Sequence, residues 1–175
     1  FRSSAVWRIP FLKTLELRSC KLKTVPAELA CLDHLTTLDF NGNQLSDFPL
    51  AICELRNLES LNLADNKLVR VPPEICQLTR LKQLYLCHNN LQPLPVYVGL
   101  LHQLKHLTAG YNPLNLQQRA LIPFFEWDGS PQLLAYLREA ASLQGIIQAG
   151  FFKSSEATQP WTQFLTQGLY DPRLF

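Results

Sequence analysis

Hydrophobic positions in this chain follow two alternating periods. A short segment in which Leu15 and Leu17 alternate with Thr14, Glu16 and Arg18 has period two, which predicts a strand with one buried face and one open face. Further along, Leu29 and Leu32 stand three apart, and that spacing returns at Ile52/Leu55, Ile75/Leu78 and Val98/Leu101. Such segments are too short for more than a turn or two of helix or 3₁₀. Each follows an apolar residue and a proline: Val25-Pro26, Phe48-Pro49, Val71-Pro72 and Leu94-Pro95. Ala30, Cys53, Cys76 and Gly99 share one position between the apolar pairs, and all four are small, as expected where adjacent turns press backbone on backbone. Cys53 and Cys76 therefore read as small buried spacers, with a disulfide between them as the lesser alternative.

The two patterns alternate as one unit. Slid against itself, the sequence matches at an offset of 23 residues, with Leu12, Leu35, Leu58, Leu81 and Leu104 opening five units without insertion or deletion. The units begin LKTLELRSCKL, LTTLDFNGNQL, LESLNLADNKL, LKQLYLCHNNL and LKHLTAGYNPL. Asn43, Asn66, Asn89 and Asn112 share the position after the strand, where a side chain is needed to hydrogen-bond the backbone of the departing turn. No unit can bury both sides of its own leucine layer, so stability must come from stacking.

The shared pattern L-x-x-L-x-L-x-x-N/C-x-L resembles the leucine-rich repeat family over roughly residues 5 to 114. The resemblance implies an α/β fold: a right-handed solenoid with parallel strands on its concave face, short helices or 3₁₀ turns on its convex face, and a C-terminal helical segment. It also implies that Cys20 takes the asparagine position of the first unit, completing a structural ladder of Cys20, Asn43, Asn66, Asn89 and Asn112. Residues 1–118 form the repeat domain, with a partial unit at 1–11. Residues 119–175 form a C-terminal cap and helical segment, expected to begin a further helical domain. Units of this length with Leu/Val-Pro in the second half are similar to those of Ras-suppressor-like, Scribble-like and plant intracellular Ras-group proteins. That similarity implies a scaffold in small-GTPase or polarity signalling.

The ends break the lattice. Val6 and Ile9 fall on the outer apolar positions of a preceding unit, with Trp7 on the small position, so the chain is expected to be cut from a longer array. Gln118 stands where proline belongs, and LNLQQRALIPFFEWD carries the aromatic and apolar load suited to closing the leucine core. Ser130-Pro131 is an N-cap followed by first-turn proline, and Leu133, Leu134, Leu137, Ala140, Ala141 and Gln144 trace one face of a helix over about 131–144. The run SPQLLAYLREAA is similar to the segment that ends the repeats in Roco-type signalling proteins. A second short helix is predicted from Pro160-Trp161 to Gly168, and Asp171-Pro172 predicts a helix start that continues past Phe175.

Composition narrows the function. Leucine supplies 35 of 175 residues, which accounts for the core, and 47% hydrophobic residues exclude long disorder. Sixteen basic against fourteen acidic residues give a net charge of +2 with alternating signs, which argues against nucleic acid and anionic membranes. No stretch is long enough for membrane insertion. Five scattered cysteines and no Asn-x-Ser/Thr acceptor favour a reducing, cytoplasmic setting. There is no phosphate loop, nucleophile elbow, His-Glu-x-x-His or Cys-x-x-Cys, so no catalytic residue, cofactor or metal is assigned. Cys87, His88 and His106 fall in different lateral rows, and Cys31-Leu32-Asp33, superficially similar to the Cys-x-Asp loop of bacterial leucine-rich-repeat ubiquitin ligases, contains the core position Leu32.

The open strand face remains. Its outward rows are Thr14, Thr37, Ser60, Gln83, His106; Glu16, Asp39, Asn62, Tyr85, Thr108; Arg18, Asn41, Ala64, Cys87, Gly110; and Ser19, Gly42, Asp65, His88, Tyr111. Five strands about 4.8 Å apart make a platform about 20 Å wide, the scale of a protein interface. The expected partner surface comprises Glu16, Arg18, Asp39, Asn41, Asn62, Asp65, Tyr85, His88, His106 and Tyr111. Within it Tyr85 and Tyr111 anchor a protein and the early acidic group steers a basic segment. The expected function is a non-catalytic interaction scaffold whose partner is a protein, such as a small GTPase or its regulator. The alternative is the targeting module of a larger GTPase, kinase or ubiquitin ligase.

Overall fold

The computed structural model describes residue 9, residues 11–122 and residues 129–143. Five three-residue strands, β1 (Thr14–Glu16), β2 (Thr37–Asp39), β3 (Ser60–Asn62), β4 (Gln83–Tyr85) and β5 (His106–Thr108), form one parallel sheet in sequence order. The register advances by one repeat per strand, pairing Leu15, Leu38, Leu61, Leu84 and Leu107 in a row. These leucines face inward, as the period-two pattern requires.

On the outer side, Ala27–Cys31, Leu50–Glu54, Pro73–Gln77 and Val96–Leu100 form 3₁₀ turns. Each follows a proline in extended backbone, and each is stopped by an amide that closes on a carbonyl three residues back, such as Leu55 N on Ile52 O at 3.0 Å. An apolar pair spaced by three fits that tighter turn, whose side chains at i and i+3 eclipse. Leu29, Leu35, Leu38, Leu45, Ile52, Leu55, Leu58, Leu61, Leu63 and their equivalents are buried in one continuous core. Leu32 is buried in it too, while Cys31 beside it is exposed.

Each ladder asparagine spans a strand exit in the same way. Asn66 Oδ1 accepts from Leu45 N at 3.1 Å, while its Nδ2 donates to the carbonyls of Phe40, Leu63 and Ala64. Asn43, Asn89 and Asn112 repeat this set one unit away. Cys20 is exposed, and its thiol donates to Arg18 O at 3.3 Å.

The last unit is closed by two helices. In α1 (Leu116–Ala120), Asn115 caps the first turn by accepting from Gln118 N at 2.8 Å. Buried Gln118 then satisfies both backbone groups of Leu94, accepting its N–H at 2.7 Å and donating to its carbonyl at 2.8 Å. A glutamine where the lattice has proline therefore imitates the backbone of the missing next turn. Helix α2 (Pro131–Leu143) buries Leu133, Leu134, Leu137 and Ala141 against the final 3₁₀ turn and belongs to the same core. Ser130 N donates to Leu107 O at 2.7 Å and Arg138 Nη2 to Leu104 O at 2.7 Å, covering β5's free edge and a turn carbonyl. The small lattice position gains its reason here: a Cβ on Gly99 would lie 2.3 Å from Leu137 O. Val6, Trp7, the aromatic run after Ile122, and the helices expected near Pro160 and after Asp171 lie outside the described residues.

Cys53 and Cys76 are buried free thiols on the convex side. Burial, reinforced by the Glu74 carboxylate, pushes the Cys76 thiol up to about 12 and Cys53 still higher. No helix of the described residues is long and apolar enough to cross a membrane.

Candidate functional site

The open face divides at its middle strand into a polar network and an aromatic group. On β1 to β3, Asp39 accepts from Arg18 Nε at 2.9 Å, Asn62 Nδ2 at 3.0 Å and Asn41 N at 2.8 Å. Arg18 also approaches Glu16, at 3.5 Å, and Asn41 Nδ2 donates to Asp65 at 2.9 Å. The sequence places Asp39 among partner-facing acids. The structure corrects this: Asp39 is 5% exposed and organises its neighbours. A carboxylate on an inward-curving sheet can be covered by longer flanking side chains, and Arg18 offsets the charge of Asp39 at 2.9 Å, with exposed Glu16 farther off at 3.5 Å. Asp65 stays exposed.

On β4 and β5 the aromatic residues form two pairs. Tyr85 meets His106 with ring centroids 5.3 Å apart and tilted, and His88 stacks on Tyr111 at 4.2 Å and 13°. Ala64 and Gly110 are buried and Cys87 is half-buried, leaving a low floor beside the rings. The backbone of Gly129 closes on His106, where a Cβ would stand 2.9 Å from Nδ1, so the C-terminal segment already occupies one side of that imidazole. Thr108 is buried, and its hydroxyl has no hydrogen-bond partner among the described residues. Tyr111 is 71% exposed.

A backbone feature of this face was not visible in the residue rows. Ser19, Gly42, Asp65, His88 and Tyr111 all have positive φ, between 50° and 69°. One lattice position is thus left-handed in every unit. Glycine adopts it freely, aspartate tolerates it, and for a bulky residue it costs about 1–2 kcal/mol. The asparagine-adjacent Gly42 was the only sequence signal for that turn.

A row that the sequence reading left unused runs along the strands' N-terminal ends: Lys13, Thr36, Glu59, Lys82 and Lys105. The 23-residue lattice places it, but its three lysines, one glutamate and one threonine are of mixed charge and carry no motif. Lys82 and Glu59 pair at 2.7 Å. No group of three or more metal-ligating side chains converges among the described residues.

Comparison with known proteins accords with this geometry. A leucine-rich repeat family model matches residues 56–114, and a model of two leucine-rich repeat copies matches residues 10–51, together more than half of the chain. Among solved structures, an LRR protein of Leptospira interrogans is 36% identical with a TM-score of 0.62, covering 65% of this chain and 29% of its own. The Arabidopsis thaliana BIR3–SERK2 complex matches at 32% identity and TM-score 0.57, covering 62% and 60%. A plant ice-binding protein matches at 30% identity and TM-score 0.57, covering 64% and 38%. The chain thus spans between 29% and 60% of these proteins' own lengths. No curated protein matches the sequence.

Proposed function

The chain belongs to the leucine-rich repeat family, and from that premise we propose that it is a non-catalytic protein-binding module whose partner sits on the late concave face. The observation that carries this reading is the exposed stack of His88 on Tyr111, held at left-handed backbone positions that glycine would fill without strain. For fold stability the stacking of the two rings is offset by the left-handed backbone that holds them, whereas an interface gains rigid, amphipathic contact area. Tyr85, tilted against His106, extends the same surface. Asp65 and Glu16 supply the acidic rim on the far side, with Arg18, Asn41 and Asn62 fixed between them.

The resemblance of the units to Ras-suppressor-like and Scribble-like repeats supports a small GTPase or its regulator as the partner class. All five cysteines are free thiols and the units stack through leucine and asparagine; this supports a reducing, cytoplasmic setting.

The test is capture from lysate, and of a panel of purified small GTPases, by the 175-residue chain beside its Tyr85→Ala/Tyr111→Ala variant. A partner that binds the first and is lost by the second, with an unchanged circular dichroism spectrum and melt, supports the reading. Equal capture by both overturns the aromatic face as the contact surface.

A further inference from the structure

We propose that a groove along the N-terminal rim of the sheet, running into a basic pocket beside α2, binds an extended acidic peptide segment. This site is distinct from the aromatic face and does not depend on it. The pocket, about 670 Å³, is lined by the cations of Lys82, Lys105 and Arg138 together with His102, over an apolar floor that includes Leu104 and Leu134. Among the described residues no carboxylate lines it. Its volume lies within the range of ligand-binding clefts.

The charges in the pocket are unequal. Lys82 is offset by Glu59, at 2.7 Å and with both side chains 44% exposed, so it contributes little net field. Lys105 is exposed and makes no ion pair among the described residues. Arg138 spends one Nη2 donor on Leu104 O at 2.7 Å. That bond orients the guanidinium and leaves its other N–H groups for an anion. The uncompensated field is therefore centred on Lys105 and Arg138, between the last strand and the closing helix. It exists only because α2 folds back onto the final unit.

The shape of the groove selects a peptide over a small anion. Lys82 and Lys105 also line a second cavity, about 360 Å³, that continues along the rim past His106, Gln83, Ser60, Thr37 and Thr36, with the Glu59 carboxylate on its wall held by Lys82. Apart from the Lys82-paired Glu59, the side chains of this track from Thr37 to Gln83 are neutral hydrogen-bonding groups that repeat at the strand spacing. From Thr37 to His106 is three strand intervals, about 14 Å, which an extended chain covers in about four residues. A lone phosphate would use the basic end and ignore the polar track. Nucleic acid would meet no stacking platform of Phe, Tyr or Trp among the described residues of this rim, and a chain whose net charge is only +2.

The experiment is fluorescence anisotropy of fluorescein-labelled hexaglutamate titrated with the 175-residue chain at low ionic strength. Hexaglutamine, inorganic phosphate and hexathymidylate serve as competitors. Hexaglutamate is expected to bind saturably, to weaken with added salt, and not to be displaced by hexaglutamine. Lys105→Glu, at an exposed position, should weaken it at least about tenfold. Thr37→Ala/Ser60→Ala should weaken it while leaving any phosphate binding unchanged. Tyr85→Ala/Tyr111→Ala should bind hexaglutamate like the parent, which separates this site from the aromatic face. Equal affinity of Lys105→Glu in a folded protein overturns the proposal. So does displacement by phosphate at equal charge concentration, or tighter binding of hexathymidylate.

Discussion

The imidazole of His88 lies stacked 4.2 Å from the ring of Tyr111, and both residues have left-handed backbone, with φ of 53° and 50°. Gly42 occupies the same lattice position two units before His88, at φ 69°. A fold that can place glycine there carries aromatic rings instead. Strain at an exposed position with no buried contact to repay it marks the surface as functional in the proposed reading.

Tyr111→Gly separates strain from stability. Relief of the left-handed conformation offsets the lost stacking and the added chain entropy, so the unfolding free energy from urea denaturation should stay within about 1 kcal/mol of the parent. Partner affinity should fall by about 2 kcal/mol or more. A large loss of stability on this change would instead make Tyr111 a structural residue.

The two kinds of ladder position should differ sharply on truncation. Asn66→Ala removes four hydrogen bonds and leaves Leu45 N buried without its acceptor, so a loss of about 2–4 kcal/mol is expected. Cys20→Ala removes one exposed bond and should change stability by less than about 0.5 kcal/mol. Equilibrium denaturation of the two variants side by side measures the contrast.

Gly99 is the contact point of the closing helix. Gly99→Ala drives a methyl group into the Leu137 carbonyl, 2.3 Å away, where backbone and not a flexible side chain must yield. The expected cost is about 1–3 kcal/mol. Amide exchange should show α2 losing protection before β1 to β3 do; uniform loss across the sheet would mean that α2 and the repeats unfold as one unit.

The buried thiols predict an alkaline limit. Cys53 and Cys76 hold their protons in the folded chain well above the ordinary thiol value of 9.0, whereas the unfolded chain releases them near it. Above that value the unfolded state binds fewer protons, so stability is full below pH 9 and falls as pH rises toward 12. The slope is on the order of 1 kcal/mol per pH unit for each thiol. Cys53→Ala/Cys76→Ala should flatten that decline in melts recorded from pH 8 to 11. At neutral pH iodoacetamide should label exposed Cys20 and Cys31 while sparing Cys53 and Cys76.

Periodicity alone determined the repeat. A 23-residue interval of leucines sets strand, turn and stacking direction together, because each depends on side chains close in sequence and on a neighbour of the same kind. The helix expected over 131–144 is observed at Pro131–Leu143 for the same reason: its cap and apolar face are local. What tertiary structure decided is non-local. Asp39 looks solvent-facing from its strand position, but Arg18 and Asn62 reach it from the strands on either side and bury it. His106 looks open until Gly129 folds across it. The basic pocket needs Lys82, Lys105 and Arg138, and Arg138 arrives only through α2's packing on the last turn. A lattice repeats its own geometry, so sequence spacing can reveal it. The places where the lattice ends, or where one strand's side chain covers another's, depend on distances between residues that no spacing encodes.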